Sequence, residues 1–388
     1  MAIDKLLSFI EKETNGKCYT SFKFCHDGVV IPSIAYEDKV GDKINLKEYG
    51  ETDHSPNVRD LSKRAKQIEK DIPLFAFFLD GSRRTYKIDD IEYQKKIFPI
   101  IAGQIGVGCC QRINKSKFSG VALEHNLVLS LPDYAHADGY KPELFFNSLA
   151  EKINKTTTLA KYRLRISKIL PYDSKKLQEG ETFENKGIAK IQDEMVECEK
   201  KIVAQLTLRN LLSFSSYLIK DGSLQYKPMK TGDYKEISKI RNNYRWVVGI
   251  SKQFNPELLK DKNDKSNAHA IANLKLFHRT PAVMYEPGEQ FGDVKFAVWY
   301  VRIRDTKYTE TPFSGILKIE KMLMTGSESE HGLETDEIDT ITANIINERN
   351  PVCYGNDNRW ANHLYPVYLT EKYIKSQYIS DLHFLNLF

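Results

Sequence analysis

No hydrophobic run in this 388-residue chain is longer than a strand. A bilayer span needs about 20 consecutive apolar residues, so no transmembrane helix is expected. The opening residues, Met1-Ala2-Ile3-Asp4-Lys5-Leu6-Leu7, lack the basic stretch and long apolar segment of a signal peptide. Cysteine is scarce. Cys18, Cys25, Cys109, Cys110, Cys198 and Cys353 follow no disulfide-framework spacing, which points to reduced thiols and a cytoplasmic protein. Cys18 with Cys25-His26 could begin a zinc site. No second Cys/His pair follows at a suitable distance, so buried or solvated side chains are expected instead. Two catalytic signatures are also missing. Without a Gly-x-x-x-x-Gly-Lys-Ser/Thr loop the chain carries no recognisable ATP motor, and without Gly-x-Ser-x-Gly it has no nucleophile elbow.

What is present is an ordinary globular composition, 41% hydrophobic and 28% charged, with a net charge of +5. The length allows a large core. Within it the triplet Asp-Gly-Ser occurs twice behind apolar runs. Leu74-Phe75-Ala76-Phe77-Phe78-Leu79 leads to Asp80-Gly81-Ser82, and Tyr217-Leu218-Ile219-Lys220 leads to Asp221-Gly222-Ser223. An apolar run closed by a turn signal reads as a buried strand. Each aspartate is therefore expected at the carboxyl end of a central strand, where open α/β sheets place their ligands. A haloacid-dehalogenase-type phosphotransferase would need a second Asp two residues after the first, where Ser82 and Ser223 stand.

Along the chain, residues 1–70 show helical patterns over Ile3–Glu13 and from Ser55-Pro56 to Ile68. After Asp80 the pattern turns to β. Strands are expected over Thr85–Ile91, Phe98–Val107 and Val121–Leu131, and around Lys161, Arg163, Arg165 and Lys168. The run Gly103-Gln104-Ile105-Gly106-Val107-Gly108 departs from the dinucleotide fingerprint and reads as a twisted or bulged strand. Helices are expected over Leu144–Ile153 and Glu184–Leu212, then near Tyr234–Arg241, at Glu334–Ile346 and at Leu369–Ile379. Strands are expected at Trp246–Ile250, Phe296–Arg304 and Gly315–Glu320. In the long helix Glu199 falls within the apolar stripe of Met195, Ile202 and Val203. A core-facing glutamate is costly unless paired or metal-bound, which makes Glu199 a candidate ligand.

The order is strand with Asp80, two further strands, helix with Glu199, strand with Asp221, helix, strand. That is the arrangement of ribonuclease-H-like nucleases. The fold class expected is α/β: a ribonuclease-H-like mixed sheet flanked by helices, with N-terminal helical and β insertions. Residues 1–70 would form an N-terminal helical and loop segment and 71–388 the nuclease domain, with a β-rich insertion at about 110–180. Carboxylate oxygens are hard ligands suited to Mn²⁺ or Mg²⁺, and two such ions can activate water and stabilise a phosphodiester leaving group. Arg83, Arg84, Lys239, Arg241 and Arg245 neighbour the two aspartates in sequence and are candidate DNA contacts.

These residues resemble the NurA nuclease family. The resemblance rests on Leu79-Asp80-Gly81-Ser82, Tyr217 to Leu224, and Val247-Val248-Gly249-Ile250-Ser251-Lys252. It continues through Ala297 to Arg302, Gly315-Ile316-Leu317 and Tyr365-Pro366-Val367-Tyr368-Leu369, in that order. It implies a Piwi-like core and a Mn²⁺-dependent DNA nuclease, dimeric, seated on a HerA-type hexameric ATPase that translocates DNA, and serving DNA-end processing or antiphage defence. By position Asp80 and Asp221 match the metal-binding aspartates, Glu199 the helix glutamate, and Lys252 a basic residue that could hold a phosphate. Where the family has a histidine on the last helix this chain has Tyr373, and His363 is a candidate replacement ligand. A catalytically weakened DNA clamp or motor-docking adaptor of the same fold is the alternative, and a Piwi-like guide-binding protein a third. The apolar end, Phe384-Leu385-Asn386-Leu387-Phe388, is expected to dock on the protein's own core or on a partner.

Overall fold

The computed structural model describes residues 6–19, 23–25, 45–47, 49–136, 141–175, 177, 180–225, 234–258, 268–286, 294–352 and 360–388. One mixed sheet organises them. Its principal strands are β1 (Phe75–Tyr93), β2 (Lys96–Arg112), β3 (Phe118–Pro132), β4 (Ile166–Tyr172), β5 (Tyr217–Asp221), β6 (Val247–Ser251), β7 (Val283–Glu286), β8 (Phe296–Arg302) and β9 (Ile316–Met322). Their spatial order is β7-β8-β9-β6-β5-β1-β2-β3-β4. β1, β2 and β3 form an antiparallel meander. β5 lies parallel to β1, and β6 parallel to β5. The meander, the helix before β5 and the two parallel strands give the ribonuclease-H-like arrangement, here extended by β9, β8 and β7 on one side and β4 on the other.

Four helices position the site: α1 (Phe183–Leu208), α2 (Tyr234–Asn243), α3 (Thr335–Asn347) and α4 (Tyr365–Lys375). Strand alternation decides which face each side chain serves. Phe77, Leu79, Leu218 and Val247 share a core with Ile191, Met195, Ile202 and Val203 of α1. Phe78, Ile219, Val248 and Ile250 face the other way, onto Ile341 and Ile345 of α3 and Val367 of α4. A third core lies at the far end of the β1–β2 hairpin, where Tyr86, Ile88 and Ile100 meet the helices Leu6–Thr14 and Pro142–Ile153. Phe384, Leu387 and Phe388 pack into that same core, so the apolar end docks on the protein itself.

Several expectations are corrected. Asp80 does not end its strand. β1 runs on through Gly81-Ser82 and absorbs the separate strand expected at Thr85–Ile91, because Asp80 to Tyr93 keep a hairpin partner in β2 after β5 has stopped. Ser55-Pro56 does not start a helix. Arg59–Asp60 pairs as a short strand with His278–Arg279, and the helix runs over Ser62–Ile68 once the Asp60 carboxylate has accepted the Ser62 amide at 2.8 Å. Around Lys161 the chain is a helix, Thr157–Tyr162, ended by Arg163 in a left-handed conformation. The last long helix begins at Tyr365, four residues before its expected start, with Pro366 in the first turn where its missing N–H costs nothing.

The glycine run of β2 is regular strand, and its glycines are there for the helices. A Cβ at Gly103 would touch Ile191 of α1, and one at Gly106 or Gly108 would strike Ile374 of α4. Alternate bare positions thus let one helix sink onto each face of the sheet. No described helix is long and apolar enough to cross a membrane. Cys18, Cys25, Cys109, Cys110 and Cys198 are free thiols, while His26 and Cys353 fall outside the described residues.

Candidate active site

Asp80 and Asp221 are brought side by side. β1 and β5 run parallel with Phe78 opposite Ile219 and Leu79 opposite Lys220, and the next step along both strands reaches the two aspartates. Asp221 ends β5, and Gly222 turns the chain with a φ of 87°, a conformation that favours glycine. Asp80 lies opposite Gly108 and shares its face, toward α4. It is 5% exposed. Burial, then the Asp221 charge, pushes its carboxyl well above the ordinary carboxylate range, and no hydrogen bond is among the influences on it.

Lys252, one residue past β6, places Nζ 2.8 Å from Asp221 Oδ2. Burial would lower its pKa, but the charges of Asp221 and Asp80 hold it raised. The loop carrying Lys252 is fixed by Asn362, whose side-chain amide donates to the carbonyls of Lys252 and Ile316 at 2.8 Å each.

Glu199 reaches the site from the opposite face. It is 2% exposed and lies directly over Gly81, where a Cβ would collide with its Oε1. Gly81 is therefore required by the carboxylate above it, not by a turn. Lys220 Nζ stands 3.2 Å from Glu199 Oε2, in ion-pair contact but without hydrogen-bond geometry. Burial raises the Glu199 pKa and Lys220 partly offsets it.

Two acidic residues escaped the sequence pattern. Glu371 of α4 acts through its charge on both Asp80 and Lys252. Its Oε1 accepts from Lys375 Nζ at 2.5 Å. An i, i+4 Glu–Lys pair on a helix reads in sequence as a solvated surface pair, which hid it. Glu320 of β9 is fully buried and gathers the second triplet. Its Oε2 accepts from Ser223 Oγ and the Leu224 amide at 2.8 Å each, and its Oε1 from Gln225 Nε2 at 2.9 Å, with Lys318 Nζ 2.8 Å away. Burial is outweighed by Lys318 and these donors, which hold the Glu320 pKa below its usual value.

At the position where the family has a histidine stands Tyr373, and His363 is the candidate to replace it. Tyr373 is turned toward β3, with its hydroxyl over Gly120. His363 is buried with its ring edge-on to Tyr368, 5.6 Å between centroids. Among the described residues no three His, Cys, Asp or Glu side chains are close enough together to hold a metal ion as they stand. The donors still suit a hard divalent cation in kind. Asp80 is a buried carboxylate with no hydrogen bond among its influences, and Glu199 Oε2 is buried without a hydrogen bond. Both need positive charge that Lys252 and Lys220 supply only in part.

The basic residues divide. Arg83 Nε donates to Gln192 Oε1 of α1 at 2.7 Å. Arg84 Nη1 lies 3.0 Å from Asp381 Oδ1, and its guanidinium stacks over Tyr378. These two share β1 with Asp80. Arg245 stacks over Trp246 just before β6, so it lies at the end of the parallel strands away from Asp221. Arg241 and Lys239 belong to α2, which enters that same far end.

No protein-family model and no curated protein matches the chain. Among solved structures it is similar to the NurA nuclease from Sulfolobus solfataricus, with 84% of this chain covering 89% of that one at 9% identity and a TM-score of 0.36.

Proposed function

We propose that the protein is a divalent-metal-dependent nuclease that hydrolyses DNA phosphodiester bonds. The observation that carries this is the pairing of buried Asp80 with half-buried Asp221 on adjoining parallel strands of a ribonuclease-H-like sheet. Asp80 and Asp221 would hold Mn²⁺ or Mg²⁺, with Glu199 flanking across the Asp80–Gly81 backbone. When bound, the cation supplies Lewis-acid stabilisation and a water of lowered pKa. Without it, burial and the neighbouring Asp221 charge push the Asp80 carboxyl well above the ordinary carboxylate range. Lys252, on the Asp221 side, is a compact point charge able to orient a phosphate oxygen. The chain has no nucleotide-binding loop, which fits a motor supplied by a partner. A HerA-type translocase, a dimeric state and a role in end processing or defence belong to the same proposal, on the strength of the sequence blocks above.

Linear and circular DNA incubated with the protein and Mn²⁺ or Mg²⁺ tests this directly. Cleavage by wild type and its loss in Asp80→Ala and Asp221→Ala, with folding retained by circular dichroism, is the expected outcome. Equal cutting by both variants rejects it.

One observation favours a second possibility, a DNA clamp without cleavage. Lysines already stand against Asp221 and Glu199. Such a clamp would bind DNA equally as wild type and Asp80→Ala, and cut with neither ion.

A further inference from the structure

We propose that Glu320 of β9 is a positioning residue for Asp221, bracing the turn that follows it so that the carboxylate keeps its place beside Asp80. The consequence for the cation site rests on the nuclease reading above. Strand alternation puts the two acids on opposite faces of the sheet. Asp221 follows Ile219 onto the face of α3 and α4, whereas Glu320 shares the α1 face with Met322. The chain after Asp221 joins the two faces. The Gly222 amide donates to the Ile250 carbonyl at 2.8 Å, and the turn then folds back over β6. Gly249 of β6 is bare because the Leu224 side chain and the Gly222 carbonyl occupy the space its Cβ would take. Glu320 lies opposite Gly249 in the β6–β9 pairing, directly beside that turn.

From there one carboxylate gathers three consecutive residues. Oε2 takes Ser223 Oγ and the Leu224 amide, and Oε1 takes Gln225 Nε2. Gln225 is held a second time by Tyr285 of β7, whose hydroxyl donates to its Oε1 at 3.1 Å. Glu320 is fully buried, so water does not compete for these bonds. Only a carboxylate accepts on both oxygens. An amide there would turn an N–H₂ group against donors on one side. Asp221 needs such a brace because it is the last residue of β5 and is followed by a glycine of positive φ, where the chain is freest to swing. Without it, Lys252 can draw the Asp221 carboxylate out of line with Asp80. Groups that fix a ligating carboxylate are typically worth roughly 10–100-fold in metal affinity.

The Lys252 ammonium, 2.8 Å from Asp221, reports on that carboxylate without turnover. In the metal-free full chain carrying isotopically labelled lysine, its magnetic resonance signal is identified by its loss in Lys252→Met and is displaced in Asp221→Asn. Glu320→Gln should displace it toward the Asp221→Asn position. A smaller folded fraction would weaken the signal without moving it. With Mn²⁺ and linear DNA, Glu320→Gln should raise the half-saturating Mn²⁺ concentration about tenfold or more and leave the KM for DNA unchanged. An unmoved Lys252 signal, or an unchanged Mn²⁺ requirement in a cutting enzyme, overturns the assignment. If wild type cuts with neither Mn²⁺ nor Mg²⁺, the nuclease reading falls and the Lys252 signal alone decides the brace. Should Glu320→Gln fail to fold, Ser223→Ala removes one braced group and is read in the same two ways, with a smaller displacement expected.

Discussion

Two buried charge clusters in this molecule differ in how fully they are satisfied. At Arg279 every charge has a partner. Its Nη1 and Nη2 each donate to Glu51 at 2.8 Å, Nε donates to Asp339 Oδ1 at 2.6 Å, and Nη1 also reaches the Thr280 carbonyl. The Ala282 amide donates to Glu51, and Arg59 reaches the second oxygen of Asp339. At Asp80, by contrast, burial is just as deep, but the neighbours are mostly of like sign. The first cluster ties the segment at residues 51–60 to β8 and α3 and needs nothing further. The second is an electrostatic deficit, built where the two parallel strands meet. Satisfied charge holds a fold together, whereas unsatisfied charge of one sign marks where a ligand of the other sign belongs.

Mutation can break this contrast at either end. The largest effect on stability is expected at the satisfied cluster. Arg279→Met leaves the buried Glu51 without its cation and Asp339 with Arg59 alone, and should cost about 3–5 kcal/mol in denaturant unfolding. A loss below about 1 kcal/mol would show that the network is ornamental.

Asp80→Asn should act in the opposite direction. Activity should fall by about 10³-fold or more, the rate equivalent of several kcal/mol. Thermal stability without metal should rise at neutral pH. The sign follows from linkage. A carboxyl raised above its unfolded value keeps a proton in the folded state that the unfolded chain releases. The folded state therefore loses stability as pH rises from the ordinary carboxylate range through the raised value. The melting-temperature gain of Asp80→Asn should accordingly shrink as pH is lowered toward that ordinary range. A gain independent of pH would contradict the deficit.

The smallest perturbation is a single methyl group. Gly81→Ala pushes against the far end of the Glu199 side chain, which can swing away, so stability should change by less than about 1 kcal/mol while activity drops. Gly108→Ala meets Ile374 at 2.7 Å in a packed interface and should cost about 1–3 kcal/mol. Chemical denaturation and a nuclease assay on the pair separate site geometry from packing.

Much of this was legible from residue patterns, and the gaps have physical causes. The strands bearing Asp80 and Asp221 were readable because each is buried on both faces and so appears as a continuous apolar run. Glu199 was readable because helical phase placed it inside a stripe. The continuation of β1 beyond Asp80 was hidden, since Asp-Gly-Ser carries turn chemistry and only the glycine's neighbour in space, Glu199, explains it. Glu371 and Glu320 were hidden for a related reason. Their roles depend on contacts with residues far away in the chain, and locally each looks like half of a surface ion pair. Arg241 and Arg245 misled because nearness to Asp221 in sequence says nothing about which end of a sheet a residue occupies.

The parallel pairing of β1 with β5 also bears on how the protein is made. Asp80 meets its hairpin partner in β2 within a few dozen residues, but Asp221 is about 140 residues further along the chain. Local pairings form early, and distant ones must wait for loop closure. A chain emerging from the ribosome therefore carries half a site, a lone aspartate on a finished meander, until α1 and β5 have been synthesised and docked. The pairing of Asp80 with Asp221 is thus completed late and all at once.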